Sequence, residues 1–414
     1  MLKLQKIFKQ IEFYNCDPRF IEEIVIIEKN NKVQFLKDLS MKASLLINLK
    51  HLRLNLQNQN LGTESILYLS KCLSPQNNLS CLNLDFQLNN LDQNCAKQLG
   101  QGIQNCKNLN ILHLVLDGNK IGPEGIDYLG YQISDSINLI HVTLLLYGNN
   151  ISDNGIISLG FHLSKLKNLQ TLQLDLGGNM IRSQGAEVFG QYIGQLIELN
   201  TLFIDFQENF LGSDGGQKML QSLKTLINLR QFQLILNYNQ IEDKGCSQIG
   251  YELSQIHSLQ QLTLHLNDAF INQSGISLLG KHLQNCKNLK LLSIQILFNQ
   301  VLDVGIQNFS QCLHAFSLLN TFKISLNQQN QITGKGINAL SSELKKCQNL
   351  RILMISLIDT SYGEEAVKIF ASNIMKCQKL IIFNISIKGK DHEFIKFFGK
   401  LKKQCKNLVK YIIL

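Results

Sequence analysis

The sequence predicts an α/β solenoid, a right-handed stack of strand–helix coils. Three observations predict it: leucine recurs at a fixed period, each period holds a strand-like and then a helix-like pattern, and asparagine and glycine occupy fixed columns. The period is 30 residues over nine consecutive spacings from Leu49 to Leu319, and it then becomes 31, 30 and 28 residues up to Leu408. A unit of this size cannot bury its apolar face alone, so neighbouring units must stack.

Residues 169–198 show how one unit is built. Leu172, Leu174 and Leu176 alternate with other residues, as in a strand with one buried face. From Gly185 onward the apolar residues are three and four positions apart, as in an amphipathic helix. Because strands lie about 4.8 Å apart while helices need about 8–10 Å, the stack is predicted to be an arc or horseshoe. The parallel β-sheet is expected on its concave side and the helices on its convex side.

Polar and small residues form further columns. An asparagine column is predicted to hydrogen-bond backbone groups where the chain leaves each strand. It consists of Asn89, Asn119, Asn149, Asn179, Asn209, Asn239 and Asn299, with Asn330 displaced by one residue. A glycine column that includes Gly185 marks the helix start, where small residues allow backbones to approach closely.

The pattern resembles the leucine-rich repeat family, and within it the long-repeat, ribonuclease-inhibitor-like class with a helix in each unit. The resemblance covers residues 48–414, about twelve units, and residues 1–47 are expected to be an N-terminal capping segment. The family core reads LxxLxLxxN, whereas Leu169 to Asn179 reads LxxLxLxLxxN, so a longer strand or a bulge is expected. A last, uncapped strand is expected to begin at Leu408.

The two chain ends leave alternatives open. Residues 1–12 are predicted to be a capping helix, with a mitochondrial targeting segment as the alternative. The formal net charge is +9, and residues 376–414 hold ten lysines against two acidic residues. This basic end is either a solvated face or a contact with an acidic protein, RNA or an anionic surface. The nearly neutral remainder argues against a nucleic-acid groove, and no apolar run is long enough for a membrane span.

Cysteine usage indicates the compartment. Cys106 and four equivalent cysteines alternate with leucine, isoleucine or phenylalanine in one column, which predicts buried thiols rather than disulfides. Reduced thiols favour an intracellular location, the cytoplasm first, with nucleus, cilium or mitochondrion as alternatives.

The predicted concave face carries the candidate binding residues. An apolar group with a charged surround is the usual anatomy of a protein-binding site, and scattered surface variation is the alternative. The predicted partner-binding residues are Asp85, Val115, Asp117, Leu145, Tyr147, Asp175, Phe203, Asp205 and Ile235. The aspartates are expected to steer a basic protein partner.

No catalytic, cofactor-binding or metal-binding residue is predicted, and no small-molecule substrate is expected. Asp175 and Asp205 on adjacent strands suggest an acid/base pair, but an open sheet offers no pocket to separate their environments. His113 and His141 suggest a metal site, without the closure that such sites need. The sequence therefore favours a non-enzymatic protein-binding repeat protein. One alternative is a structural subunit of a ciliary, cytoskeletal or ribonucleoprotein assembly, docked through the basic end. The resemblance implies another, a small-GTPase regulator, because similar repeats occur in Ran GTPase-activating proteins.

Overall fold

The computed structural model describes residues 5–7, 9–27, 32–73, 78–327, 330–358, 362–387 and 410–413. The chain divides into two compact units, Met1–Asn209 and Phe210–Leu414, and each is described by itself.

In the first unit, strands and helices alternate and the strands form a parallel sheet in chain order. The strands are β1 (Gln5–Ile7), β2 (Ile21–Ile26), β3 (His51–Asn55), β4 (Cys81–Asp85), β5 (Ile111–Val115), β6 (His141–Leu145), β7 (Thr171–Asp175) and β8 (Thr201–Asp205). The α-helices are α1 (Gln10–Asn15), α2 (Lys32–Met41), α3 (Thr63–Leu73), α4 (Gln93–Gln104), α5 (Gly122–Ile133), α6 (Ser152–Leu163) and α7 (Ser183–Ile193). Short 3-10 turns cover Pro18–Phe20 and Ala43–Leu45.

The second unit repeats the arrangement. Its strands are β9 (Gln231–Ile235), β10 (Gln261–His265), β11 (Leu291–Gln295), β12 (Thr321–Asn327), β13 (Ile352–Ile358), β14 (Ile382–Ile387) and β15 (Lys410–Ile413). Its helices are α8 (Gly212–Gln221), α9 (Glu242–Ser254), α10 (Gln273–Leu283), α11 (Leu302–Ser310), α12 (Gly334–Leu344) and α13 (Glu364–Ile374), with 3-10 turns at Leu223–Thr225 and Leu313–Ala315. A strand and a helix per repeat, in a parallel sheet, is the leucine-rich repeat fold that the pattern predicts.

The core of each unit lies between its sheet and its helices. Leu172, Leu174 and Leu176 are at most 1% exposed, which confirms the predicted inward face of the strand. On the helix side of the same repeat, Phe189 and Ile193 are fully buried. Periodic apolar residues thus give each repeat two faces to bury, and stacking buries both.

The two residues that each repeat adds to the family pattern do not form a bulge. Strands β3 to β8 pair residue to residue without a register shift, so of the two expected alternatives, a longer strand or a bulge, the bulge does not occur in these strands, each of which has five residues. Inter-strand hydrogen bonds continue past the strand end instead. The Leu176 N–H donates to the Asp205 carbonyl at 2.8 Å, and the Gly178 N–H donates to the Gln207 carbonyl at 3.0 Å.

The asparagine column is a hydrogen-bonded ladder, as predicted. Asn179 is fully buried, and its Oδ1 accepts from the N–H groups of Asn149 and Ile151 at 2.9 and 3.2 Å. Its Nδ2 donates to the carbonyls of Leu146 and Gly177, both at 2.9 Å. One amide therefore joins two neighbouring repeats where the chain turns out of the sheet.

The glycine and cysteine columns also match their predictions. A Cβ on Gly185 would lie 2.9 Å from the Cα of Asp153 in the preceding repeat, so only glycine fits without a shift. Cys106 is fully buried, and its thiol donates to the Leu73 carbonyl at 3.6 Å. Burial raises the pKa of this thiol to about 12, which keeps it protonated.

The N-terminal segment differs from the prediction. Strand β1 occupies part of the predicted helix of residues 1–12, and β2 pairs in parallel with β3, so the sheet starts before the first clear repeat. Phe35, Leu36 and Leu39 of α2 are fully buried. Whether residues 1–47 act as a cap stays a prediction.

Several predictions for the C-terminal end concern residues outside the described ranges. Most of the basic stretch 376–414 falls in residues 388–409, which the structure does not describe. Strand β15 does pair in parallel with β14. Within the described residues, no helix is both long and apolar enough to cross a membrane.

Candidate functional site

The predicted binding residues lie on the sheet face opposite the helices, which we call the open face. In the first unit one row of this face runs in register across β4 to β8. That row consists of Asp85, Val115, Leu145, Asp175 and Asp205. The structure therefore brings together five residues that are 30 positions apart in sequence.

Asp117 and Tyr147 come two residues after Val115 and Leu145, just past the ends of β5 and β6. Phe203 comes two residues before Asp205 on β8. All eight of these side chains are half-buried. Ile235 is half-buried too, but it lies on β9 of the second unit.

The apolar members do not form one continuous cluster. Val115 and Leu145 are register partners on neighbouring strands. Phe203 pairs in register with Gln173, which separates it from β6. We therefore describe Val115 and Leu145 as one apolar pair and Phe203 as a separate aromatic residue.

The aspartates have a local structural role that the sequence reading missed. In Asp85, Asp175 and Asp205, Oδ1 accepts the N–H two residues later, at 3.1, 3.0 and 2.8 Å. Asn55 makes the same contact on β3 at 3.1 Å. These side-chain turns hold the chain as it leaves the strand, and either aspartate or asparagine can make them.

Asp117 makes a different contact. Its Oδ1 accepts the N–H of Tyr147 on the next repeat at 2.9 Å. Its carboxylate thereby helps to position the backbone that carries the Tyr147 ring.

The environments of Asp117, Asp175 and Asp205 disfavour the negative charge of these three carboxylates. Burial raises the pKa of Asp205 to about 7, and the charges of Asp175 and Glu208 add to the shift. Burial also raises the pKa of Asp117 to about 6, again with repulsion from neighbouring carboxylates. The pKa of Asp175 is raised by burial as well. Each shift persists although a backbone N–H stabilises the ionised form.

Few cations on the open face of the first unit compensate the negative charge of its carboxylates. Among the described residues, Asp85, Asp117, Asp175, Asp205 and Glu208 take part in no ion pair, and Arg53 is the only lysine or arginine on the open face of strands β3 to β8. The face thus holds four half-buried aspartates, and the exposed Glu208 beside them, without ion-pair partners among the described residues.

Tyr147 bridges two repeats. Its hydroxyl donates to Glu208 Oε2 at 2.7 Å, and this hydrogen bond raises the pKa of Tyr147 to about 12. The ring crosses the repeat between them at Gly177, where a Cβ would lie 2.6 Å from Tyr147 Cδ2. Sequence reasoning missed Glu208, because this residue comes after the part of the repeat in which inward and outward residues alternate. The sequence signal that could have found it is the large Tyr147 and the small Gly177 at the same position of neighbouring repeats.

The predicted alternatives of a metal site and an acid/base pair receive no support from the geometry. Among the described residues, no three His, Cys, Asp or Glu side chains converge in a metal-binding arrangement. Burial lowers the pKa of His113, and Arg53 adds to the effect. In both Asp175 and Asp205, one oxygen is already engaged in a backbone turn.

Comparisons with known proteins concern the fold. No protein-family model matches the chain, and no curated protein matches it. Among solved structures, internalin C2 of Listeria monocytogenes is 21% identical over 56% of this chain and 83% of that chain, with a TM-score of 0.34. A leucine-rich repeat protein of Leptospira interrogans is 17% identical over 99% of each chain, with a TM-score of 0.41. A chain of the yeast Rad7 and Elc1 complex is 17% identical over 91% of this chain and 88% of that chain, with a TM-score of 0.37. Because these identities and TM-scores are low, the fold assignment rests on the repeat geometry itself.

Proposed function

We propose that this chain is a non-catalytic leucine-rich repeat protein that binds a basic segment of a protein partner on the open face of its first unit. The observation that carries the proposal is the group of half-buried carboxylates without ion-pair partners. Asp117 and Asp205, with pKa values of about 6 and about 7, are its most strongly shifted members.

A lysine or arginine side chain from the partner fits this environment. Charged groups that are partly removed from water gain more from an opposite charge than fully solvated ones do. Arginine also presents several N–H donors at once, which suits the carboxylate oxygens left over from the backbone turns.

Apolar and aromatic residues supply the rest of the contact. Val115 and Leu145 form an apolar pair beside the acidic residues, and Tyr147 and Phe203 add aromatic surface. Aromatic anchors with a polar surround typically provide most of the binding energy of a protein interface. Because strands hold these residues in register, little conformational entropy is lost on binding. Ile235 of the second unit stays a predicted contact residue.

Affinity purification with mass spectrometry tests this proposal. The double variant Leu145→Asp/Phe203→Asp is expected to lose the partners that wild type retains, because it places charge on the apolar contacts. A matched control is Ile137→Asp/Ile197→Asp, which changes two exposed apolar residues elsewhere in the same unit, 63% and 51% exposed. Retention of all partners by the first variant would contradict the proposal.

A second pair of variants separates charge from shape. Asp117→Asn/Asp205→Asn keeps the size of the side chains and removes two charges. Partners captured through a basic segment are expected to be lost from this variant and to elute from wild type at raised salt concentration.

A further inference from the structure

A separate cavity lies on the open face of the second unit. It has a volume of about 390 Å³ and extends over strands β10 to β14. A cavity of this size falls within the range of about 300–1,000 Å³ that is usual for small-molecule sites.

A row of short side chains creates this cavity. Ser325, Ser356 and Ser386 are register partners on β12, β13 and β14, and Ser293 lies in the adjacent row on β11. His265 and Met354, which are longer, also line the cavity. Within the described residues, none of the four serine hydroxyls makes a hydrogen bond. The lining therefore offers four hydroxyl groups without protein partners.

One cation lies among them. Lys323 pairs in register with Ser293 on one side and Met354 on the other. It is half-buried and makes no ion pair or hydrogen bond with a described residue. On the open face of strands β9 to β14 it is the only lysine, arginine, aspartate or glutamate among the described residues. Its charge thus has no acidic partner in the described part of the chain.

An unsatisfied amide completes the lining. Asn384 Oδ1 is inaccessible to solvent and has no hydrogen-bond partner in the described part of the chain. A buried carbonyl oxygen without a donor costs free energy that a ligand N–H would recover.

We propose that this cavity binds a small carboxylate that carries an adjacent N–H group, as in an N-acyl amino acid or the C-terminal residue of a peptide. The carboxylate accepts from the Lys323 ammonium and from serine hydroxyls. The N–H donates to Asn384 Oδ1, and Met354 contacts an apolar side chain of the ligand. These residues all line one cavity, and because Asn384 Oδ1 is inaccessible to solvent, the Asn384 side chain must turn toward the ligand to accept its N–H.

The charge of the cavity favours a monoanion over a phosphate. Lys323 supplies one positive charge, and burial lowers the pKa of His265, which disfavours a second positive charge in the cavity. A phosphate dianion would bring a second negative charge without a compensating cation.

Calorimetric titration of the full chain tests the site with a matched pair of probes. N-acetyl-L-leucine is expected to bind, and N-acetyl-L-leucinamide is expected to bind at least about tenfold more weakly, because it lacks the charge that Lys323 recognises. Equal binding of the two probes, or tighter binding of inorganic phosphate, would overturn the proposal.

Variants locate the binding. Lys323→Met is expected to weaken N-acetyl-L-leucine binding at least about tenfold, and Ser356→Leu is expected to block it by filling the cavity. The control Lys290→Met removes an exposed lysine that does not line the cavity, and it should bind like wild type. Circular dichroism verifies that each variant is folded. Wild-type affinity in a folded Lys323→Met protein would overturn the assignment.

The carboxylate can come from a single N-acyl amino acid or from the C-terminus of a peptide, and probes of different length distinguish these two sources. An acetylated tetrapeptide ending in leucine with a free carboxylate is compared with the single N-acetyl amino acid. Tighter binding of the peptide identifies a peptide C-terminus as the ligand, and tighter binding of the single residue identifies a small molecule. Binding of neither probe contradicts the proposal.

Discussion

The hydroxyl of Tyr147 donates a hydrogen bond of 2.7 Å to the carboxylate of Glu208, two repeats further along the chain. The ring crosses the intervening repeat at Gly177, the position where that repeat has no side chain. The glycine thus serves neither a catalytic loop nor a left-handed turn. It leaves space for an aromatic side chain on the open face of the sheet.

Replacing Gly177 is expected to displace this tyrosine. In Gly177→Ala the new Cβ would lie 2.6 Å from Tyr147 Cδ2 and 2.9 Å from Gln207 Cγ. The ring must move, and the hydrogen bond to Glu208 is weakened or lost. We expect a loss of about 1–2 kcal/mol in the free energy of unfolding, measured by urea denaturation. Gly62→Ala is the control, since a Cβ there meets no atom within 4 Å. An equal effect of the two substitutions would show that the ring does not lie over Gly177.

The stability of the first unit should depend on pH through Asp205. Its pKa is raised from the ordinary 3.8 to about 7, so the folded chain binds the proton more tightly than the unfolded chain. The stabilising contribution of this proton is complete below about pH 4 and is lost as the pH rises to about 7. Asp205→Asn removes the charge and can keep the turn, as Asn55 does. We therefore expect a higher melting temperature than wild type at about pH 8 and no difference near pH 4.

Asp85→Asn is the control for this experiment. Asp85 makes the same turn, but its neighbours in the row are Asn55 and Val115 rather than another carboxylate. A smaller gain in melting temperature is therefore expected. If the two variants gained equally at high pH, repulsion among Asp175, Asp205 and Glu208 would not be the cause.

The sequence predicted the repeat because its signals are local and periodic. An apolar residue recurs at the positions of Leu172 and Leu174, and asparagine recurs in most units at the position of Asn179, so the buried face and the polar ladder could be assigned from spacing alone. The sequence did not reveal β2, since residues 21–26 lie before the leucine period begins. The family pattern could not decide between a longer strand and a bulge, and in the structure the inter-strand hydrogen bonds continue past the strand end at Leu176 and Gly178.

The candidate site was predictable only in part, for a physical reason. Alternation identifies which residues face away from the core, and all nine predicted residues do so. Contacts across repeats depend on side-chain length and direction, which spacing does not reveal. The contact of Tyr147 with Glu208 therefore emerged only from the structure, as did the cavity around Lys323.

The asparagine ladder predicts a large and specific loss of stability. Asn179→Ala removes an amide that joins four backbone groups, and these groups are buried. Because buried groups without partners cost about 1–3 kcal/mol each, we expect a loss of at least about 3 kcal/mol in urea denaturation. Asn168→Ala removes an exposed amide that donates to one carbonyl, and it should cost less than about 1 kcal/mol. If Asn179→Ala lost less free energy of unfolding than Asn168→Ala, the structural role of the asparagine ladder would be contradicted.

Binding of a basic partner should release protons. At about pH 6.5, Asp117 and Asp205 are partly protonated in the free chain, since their pKa values are about 6 and about 7. A cation from the partner lowers both pKa values, so the carboxylates ionise as the complex forms. Once a partner has been captured, calorimetry in two buffers of different ionisation enthalpy measures this release. We expect about one proton at pH 6.5, almost none at pH 9, and weaker binding as the pH falls below about 6. Proton uptake by wild type at pH 6.5 would mean that the partner does not bring a positive charge to these carboxylates.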